Sequence, residues 1–335
     1  MVGFVDPVTD AVDSAGVPRA VSAERRHYLL KILVTGGAGF IGSHLVRALL
    51  ERGDRVRVLD NFSTGKPENL AGLKAEVITG DLCNPQQVME AVREVEVIFH
   101  LAAFISVPQS LEDPQACFEV NVQGTLNLFE AARKVGVQRV VVASSAAVYG
   151  DSTNLPLKED EPVRPLSPYG ASKVVLEVYA GLYTRTFGLP VVVLRYFNAY
   201  GPRQSIESQY AAVIPIFIHQ LQERLPPIIN GDGTVKRDFT FVGDLVQANL
   251  IAASHPAAPG QVFNICTGQE TSLLMLLEVL GSIFPNMPEP RFTSARPGDI
   301  YRSLGDAEWA EKVLGFRATT SLVEGLRQTV QCKSC

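Results

Sequence analysis

The sequence predicts an α/β protein, a Rossmann-type doubly wound parallel sheet with a smaller C-terminal α/β substrate lobe. Three observations carry this. Short β-rich runs alternate with helical segments from residue 31 onward. A glycine-rich turn joins the first strand to the first helix. The run Val97–Ala103 is almost continuously apolar, as a strand buried on both faces requires.

Lys31–Thr35 reads as the first strand. Phe40–Arg52 carries Ile41, Leu45, Val46 and Leu49 at helical spacing. Arg55–Asp60 and Glu76–Gly80 are strands, and Pro85–Glu94 is a helix with proline in its first turn. Cys117–Val135 is a long helix, Arg139–Ser145 a strand, Tyr169–Thr186 a helix and Val191–Phe197 a strand. The connections near Ser110–Pro114 and Asp151–Pro168 are longer, at strand carboxyl ends, where such sheets build their sites. Residues 31–197 are therefore assigned to a dinucleotide-binding domain. Residues 198–335, with shorter segments and many prolines, form mainly a substrate lobe, and Val262–Thr267 is a strand able to return to the main sheet. Residues 1–30 read as a poorly structured extension.

Composition narrows the class. A net charge of −5 with no long run of like charge argues against a nucleic-acid partner. No stretch reaches the roughly 18 apolar residues of a membrane span. Asp6, Asp10 and Asp13 do not fit a signal peptide. Cys83, Cys117, Cys266, Cys332 and Cys335 are too scattered for a disulfide framework and fit a reducing cytoplasm. The terminal Cys332/Cys335 pair reads as free thiols, and no metal is expected.

Gly36, Gly39 and Gly42 have the spacing GxxGxxG between a strand and a helix. Glycine permits the tight turn and lets backbone N–H groups approach a pyrophosphate at the helix N-terminus. Asp60 closes the next strand roughly 20 residues on, where a ribose-binding carboxylate belongs. No arginine follows in Asn61–Gly65 to receive a 2′-phosphate, so NAD is expected over NADP. Asp81 can accept from an adenine amino group, although a helix cap near Pro85 fits the local sequence nearly as well.

Tyr169 and Lys173 stand at i and i+4 at a helix start, on one helical face. An ammonium beside a phenol favours the phenolate, which can exchange a proton with a sugar hydroxyl. Ser145, at the carboxyl end of a strand, can hydrogen-bond the same substrate oxygen.

These features resemble an extended short-chain dehydrogenase/reductase of the nucleotide-sugar epimerase type. The resemblance covers about residues 31–330 through TGGAGFIG (35–42), DNFSTG (60–65), HLAA (100–103), SSAAVYG (144–150), YGASK (169–173), RYFNAYGP (195–202), RDF (237–239) and RPGD (296–299). It implies that Phe40 and Ile41 line the NAD pyrophosphate turn and that Asp60, Asn61, Ser63, Thr64 and Gly65 hold the adenosine ribose. Asp81 and Leu82 would hold the adenine, with Leu101, Ala102, Ala103 and Asn121 bordering the cofactor and Phe197 near the nicotinamide. Ser145, Tyr169 and Lys173 would be catalytic. Ser106, Asn198, Ala212, Val213, Arg237, Arg296 and Asp299 would contact a UDP-sugar. Arginine suits a diphosphate, while each arginine alone reads equally well as a surface ion pair.

Related sugar dehydratases carry an Asp-Glu pair just after the Ser145 position, and nucleotide-sugar decarboxylases usually an acid at the second of these. Here both are alanine, Ala146 and Ala147. The resemblance therefore implies hydride removal at C4 and its return to the other face, a 4-epimerisation with NAD regenerated. Ser303 falls where the family borders the sugar C2 substituent, and a small residue there leaves room for N-acetyl groups. Ile105 stands where many galactose-directed relatives have lysine. A strict UDP-glucose 4-epimerase, a UDP-glucuronate 4-epimerase and a dehydratase or decarboxylase are the alternatives. The helices Cys117–Val135 and Tyr169–Thr186 could pair across the two-fold axis of a homodimer, and burial inside one subunit fits their apolar content as well.

Overall fold

The computed structural model describes residues 30–206, 212–295 and 300–332. Seven strands form one parallel sheet: β1 (Lys31–Thr35), β2 (Arg55–Asp60), β3 (Glu76–Thr79), β4 (Val97–His100), β5 (Arg139–Ser145), β6 (Val191–Tyr196) and β7 (Val262–Ile265). Their order across the sheet is β3-β2-β1-β4-β5-β6-β7. The chain thus winds outward from β1 to one edge, returns, and continues from β4 to the other. The direction reverses between β1 and β4, the switch point at whose carboxyl edge such sheets place a ligand crevice. The returning strand β7 pairs with β6 from Val262–Val193 to Ile265–Tyr196.

The helices that bear on the site are α1 (Phe40–Glu51), α2 (Pro85–Ala91), α3 (Gly124–Val135), α4 (Pro168–Phe187) and α5 (Val242–Ser254). One face of the sheet buries Val34, Val141, Val192 and Leu194 with Leu45 and Leu49 of α1 and Leu245 of α5. The other buries Ile98, Val140, Val142 and Val193 with Leu128 of α3 and Leu176 of α4. Strand alternation sends neighbouring residues to opposite faces, so the near-continuous apolar runs are explained. A separate core around Tyr200, Phe217, Phe241, Leu276 and Leu326 supports the second lobe.

Several elements end short of the sequence reading, α2 at Ala91 rather than Glu94 and β7 at Ile265 rather than Thr267, and two departures bear on the site. β4 ends at His100 rather than Ala103, because the chain then passes over the glycine turn. The long helix expected over Cys117–Val135 is broken into Pro114–Phe118, a π-helical stretch Glu119–Gln123, and α3. Asn121 lies inside the π stretch, and π insertions recur at functional sites. No described helix is long and apolar enough to cross a membrane.

Leu111 and Phe118, with Val178 of α4, are more than half exposed, and Leu182 lies one turn beyond Val178. Leu176, Ala180 and Tyr183 on the same helix are buried within the subunit. Cys335 lies outside the described residues, while Cys332 is a half-buried free thiol.

Candidate active site

The glycine turn is packed too closely for side chains. Gly36 adopts φ +70°, and a Cβ there would stand 2.6 Å from the backbone nitrogen of Ala102. A Cβ on Gly42 would stand 2.1 Å from the Gly36 carbonyl oxygen. Asp60 is buried and ties this turn to the next loop. Its Oδ2 accepts from Ala38 N (2.9 Å) and its Oδ1 from Phe62 N (2.9 Å). Gly65 is held so close that a Cβ would lie 3.0 Å from Asp60 Oδ1. Asn61 Oδ1 caps the turn by accepting from Ser63 N (3.0 Å), leaving Ser63 and Thr64 exposed.

Asp81 does not cap α2, because Asn84 does so by accepting from Gln86 N and Gln87 N. Asp81 instead accepts from Cys83 N (2.7 Å) and from Asn61 Nδ2 (3.0 Å), and these bonds hold its carboxyl below the ordinary range. It therefore stands beside the Asp60–Gly65 loop at the sheet's carboxyl edge. Leu82 is buried against Gly124, where a Cβ would lie 2.8 Å from that of Leu82. Leu101 and Ala102 are bonded to Thr35 through its carbonyl and hydroxyl oxygens, beneath the turn.

This cradle fits a dinucleotide: backbone at the turn lies bare where a phosphate would approach, and a carboxylate stands at the end of β2. Gly36, Gly39, Phe40, Ile41, Gly42 and the Asp60–Gly65 loop would hold the cofactor. Two residues expected to border the cofactor are also held by contacts within the protein. Asn121 turns its amide inward, accepting from Phe104 N (2.7 Å) and donating to Phe104 O (3.0 Å) and Ser172 Oγ (2.9 Å). Phe197 is fully buried against Tyr149, Cys266 and Gly305, in the packing behind the site.

Ser145 ends β5, and its Oγ accepts from Ala147 N (3.1 Å) in the 3-10 turn Ala146–Tyr149. Ser167 caps α4 by accepting from Gly170 N, which fixes Tyr169 in the first turn beside Ser145. Lys173 is buried one turn on; its Nζ donates to Ala143 O (2.9 Å) and lies 5.8 Å from the Tyr169 ring centre. Burial pushes the Tyr169 phenol up, opposed by its hydrogen bond with Ser145. Burial likewise pushes Lys173 down to about 8, opposed by Cys117 and Glu177. For each group burial is the largest influence, so the phenol is not drawn down here as the lysine alone would draw it.

The residues expected to contact a substrate come from distant segments. A cavity of about 220 Å³ is lined by Asn198, Ala212, Val213, Tyr200, Phe239 and Arg237, among others. Ser303 pairs in register with Arg237, and Asp238 N donates to Ser303 O (2.9 Å). Ser106 uses its hydroxyl as a helix cap, accepting from Gln109 N (3.3 Å). Arg296 and Asp299 lie outside the described residues. A larger cleft of about 780 Å³, lined by Lys31, Arg55, Arg57 and Glu76, opens at the amino-terminal edge of the sheet, opposite this chemistry.

Two functional supports went unread in the sequence. Buried His100, in HLAA, bridges Thr35 Oγ1 (2.8 Å) and Thr125 Oγ1 (2.9 Å) and joins the cradle to α3. Burial and the Lys173 charge push its imidazole down to about 3, so it is a neutral strut. Buried Asp238, in RDF, accepts from Thr267 N (2.9 Å), Thr267 Oγ1 (2.6 Å) and Gly268 N (2.9 Å), and so anchors the strand carrying Arg237. Their motifs were visible, but their partners are contacts between distant segments.

A glycine cradle facing a Ser-Tyr-Lys group across the switch of a parallel sheet defines a dinucleotide-dependent enzyme. The chain belongs to the NAD dependent epimerase/dehydratase family, whose sequence profile matches residues 32–266. Its cofactor is NAD. It is 42% identical over 312 residues to UDP-glucose 4-epimerase of Mycolicibacterium smegmatis, covering 90% of this chain and 98% of that one. Its structure resembles that of UDP-glucose 4-epimerase with UDP-glucose from Thermotoga maritima, with TM-score 0.87 and 38% identity, covering 90% and 98% of the two chains. It equally resembles UDP-N-acetylglucosamine 4-epimerase from Methanobrevibacter ruminantium M1 in complex with UDP-N-acetylmuramic acid, with TM-score 0.87 and 37% identity, covering 90% and 97%.

Proposed function

We propose that the protein interconverts UDP-sugars at C4, accepting UDP-N-acetylglucosamine and UDP-N-acetylgalactosamine together with UDP-glucose and UDP-galactose. The observation that carries this reading is the turn after Ser145. Ala146 and Ala147 occupy it, in a site that sets Lys173 beside the Tyr169 phenol. An elimination needs an extra acid and base, and these positions supply neither.

In this reading Ser145 orients the sugar 4-hydroxyl, and Tyr169 as phenolate accepts its proton. Lys173 stabilises the phenolate charge. Bound NAD supplies a hydride acceptor that returns the hydride, so the cycle has no net redox change. Asn198, Ala212, Val213 and Arg237 hold the nucleoside diphosphate, joined by Arg296 and Asp299. Ser303, beside Arg237, leaves space at the C2 substituent. The two solved relatives, one with UDP-glucose and one acting on UDP-N-acetylglucosamine, support both branches of this substrate range.

The test compares UDP-glucose, UDP-N-acetylglucosamine and UDP-glucuronate with the wild type and with Tyr169→Phe. Turnover is expected with the first two, at rates about 10²- to 10⁴-fold lower in the variant, which should still copurify with NAD. Full activity of Tyr169→Phe sinks the mechanism. Preference for the glucuronate, or release of a dehydrated product, sinks the assigned reaction.

A further inference from the structure

Behind the catalytic pair lies a buried ion pair that the proposed chemistry does not use. Glu177 follows Lys173 by one turn of α4, and Arg195 of β6 meets it with both sides of its guanidinium. Arg195 Nε donates to Oε1 (2.9 Å) and Nη2 to Oε2 (2.6 Å), with both side chains less than one-tenth exposed. Ser144, paired in register with Arg195, donates its hydroxyl to Glu177 Oε1 (2.5 Å). Arg195 Nη1 also donates to Tyr149 Oη (2.7 Å) and to Glu159 O (3.0 Å). Tyr149 in turn donates to Asn264 Oδ1 of β7 (2.6 Å).

Three consecutive residues of β5 therefore address the helix that carries the catalytic pair. Ala143 O receives Lys173, Ser144 grips Glu177, and Ser145 meets Tyr169. A buried ion pair whose only task was stability could give way to apolar residues of similar volume with little loss. Placed here, the carboxylate also sets the field at Lys173. We propose that Glu177, anchored by Arg195 and Ser144, is a positioning residue that keeps Lys173 seated and protonated behind Tyr169 during proton transfer. This deepens the reading above, since it takes Tyr169 and Lys173 as the pair that handles the proton. Lys173 keeps its protons throughout; the proton exchanged is the one passed between the sugar hydroxyl and the Tyr169 oxygen.

The titratable groups facing Lys173 are Tyr169 and Glu177 on α4, Cys117 on the helix Pro114–Phe118 and His100 on β4; Arg195 stands behind Glu177. His100 is held neutral and the Cys117 thiol is pushed up by burial, so Glu177 is the anion among them. Burial disfavours the ammonium, and the carboxylate opposes that loss. Neutralising Glu177 therefore moves the loss of the Lys173 proton to lower pH.

The experiment is a pH profile of kcat and KM for Glu177→Gln. Its alkaline limb should move down by about one pH unit or more, making the loss of kcat about tenfold greater above the limb than at pH 6.5, with KM little changed. An equal loss at every pH would show a merely structural role and overturn the proposal. Leaving Arg195 unpaired in the interior can prevent folding. If it does, the double variant Glu177→Gln/Arg195→Met carries the test, with a smaller shift in the same direction expected because the more distant guanidinium charge is lost as well, and an unmoved limb overturning it. Lys173→Met separates the two readings. If that variant is inactive while the limb is unmoved in Glu177→Gln, the role of Glu177 fails alone; if it is fully active, the Tyr169/Lys173 pair itself fails.

Discussion

The two sides of the crevice are built differently. The cofactor side is almost self-contained: the glycine turn, Asp60 and Gly65 lie close in sequence and are joined by hydrogen bonds from the Ala38 and Phe62 amides to the Asp60 carboxylate. The substrate side has no such local unit. Asn198, Val213, Arg237 and Ser303 come from separate segments, assembled by two-residue strand pairings and by the buried carboxylate of Asp238. A cradle made of backbone tolerates few changes and keeps one ligand. A pocket made of side chains on separate supports can change a residue without disturbing its neighbours. This suits the reaction proposed above, in which NAD is retained through every cycle while the sugar varies.

The strongest way to break the comparison is to put a side chain into the cradle. In Gly42→Ala the new Cβ would stand 2.1 Å from Gly36 O and 2.8 Å from Gly37 Cα, and both are backbone atoms of the turn itself. Overpacking of this kind costs about 3 kcal/mol. The purified variant should lack NAD, as measured by cofactor released on denaturation, and should melt at lower temperature. NAD retained in full occupancy would show that the turn can yield, and the contrast between the two sides would weaken.

The same contrast decides what was legible in the sequence. The cofactor side could be read because its signals are local. Glycines at fixed spacing and an acid at the next strand end describe one supersecondary unit. Tyr169 and Lys173 were legible for a similar reason, one turn of helix. The field around them was not, because desolvation depends on what packs over the pair, and burial is the largest influence on the phenol. Asn121 shows the limit most clearly. Its position was flagged, but its amide is spent on Phe104 and Ser172 within a π stretch that no periodicity reveals. Val262–Thr267 reads as a possible return strand, yet only the register of Val262–Ile265 with β6 places it in the sheet.

Arg237 probes the substrate side. It lies on the wall of the cavity, carried by the strand that Asp238 anchors. Removing a charge-assisted donor to a diphosphate costs about 1.5–3 kcal/mol, so Arg237→Met should raise KM for the UDP-sugar about 10- to 100-fold. NAD content and melting temperature should remain near the wild type. Loss of NAD together with the rise in KM would show that the two sides are mechanically one, against the division drawn above.

The smallest expected effect is the most discriminating for substrate choice. Ser303 is half-buried and pairs in a short parallel register with Arg237, which lines the cavity. Ser303→Tyr adds an aromatic ring where the C2 substituent is proposed to lie. The ratio of kcat/KM for UDP-N-acetylglucosamine over UDP-glucose should fall about tenfold, the scale on which pocket volume discriminates. Ser303→Ala separates volume from hydrogen bonding, since it keeps the space and removes the hydroxyl; it should leave the ratio near the wild type. If Ser303→Tyr lowers both substrates equally, the residue governs access to the pocket rather than the choice at C2. If neither variant moves either substrate, the C2 subsite lies elsewhere, and the breadth of substrate proposed here must rest on other residues.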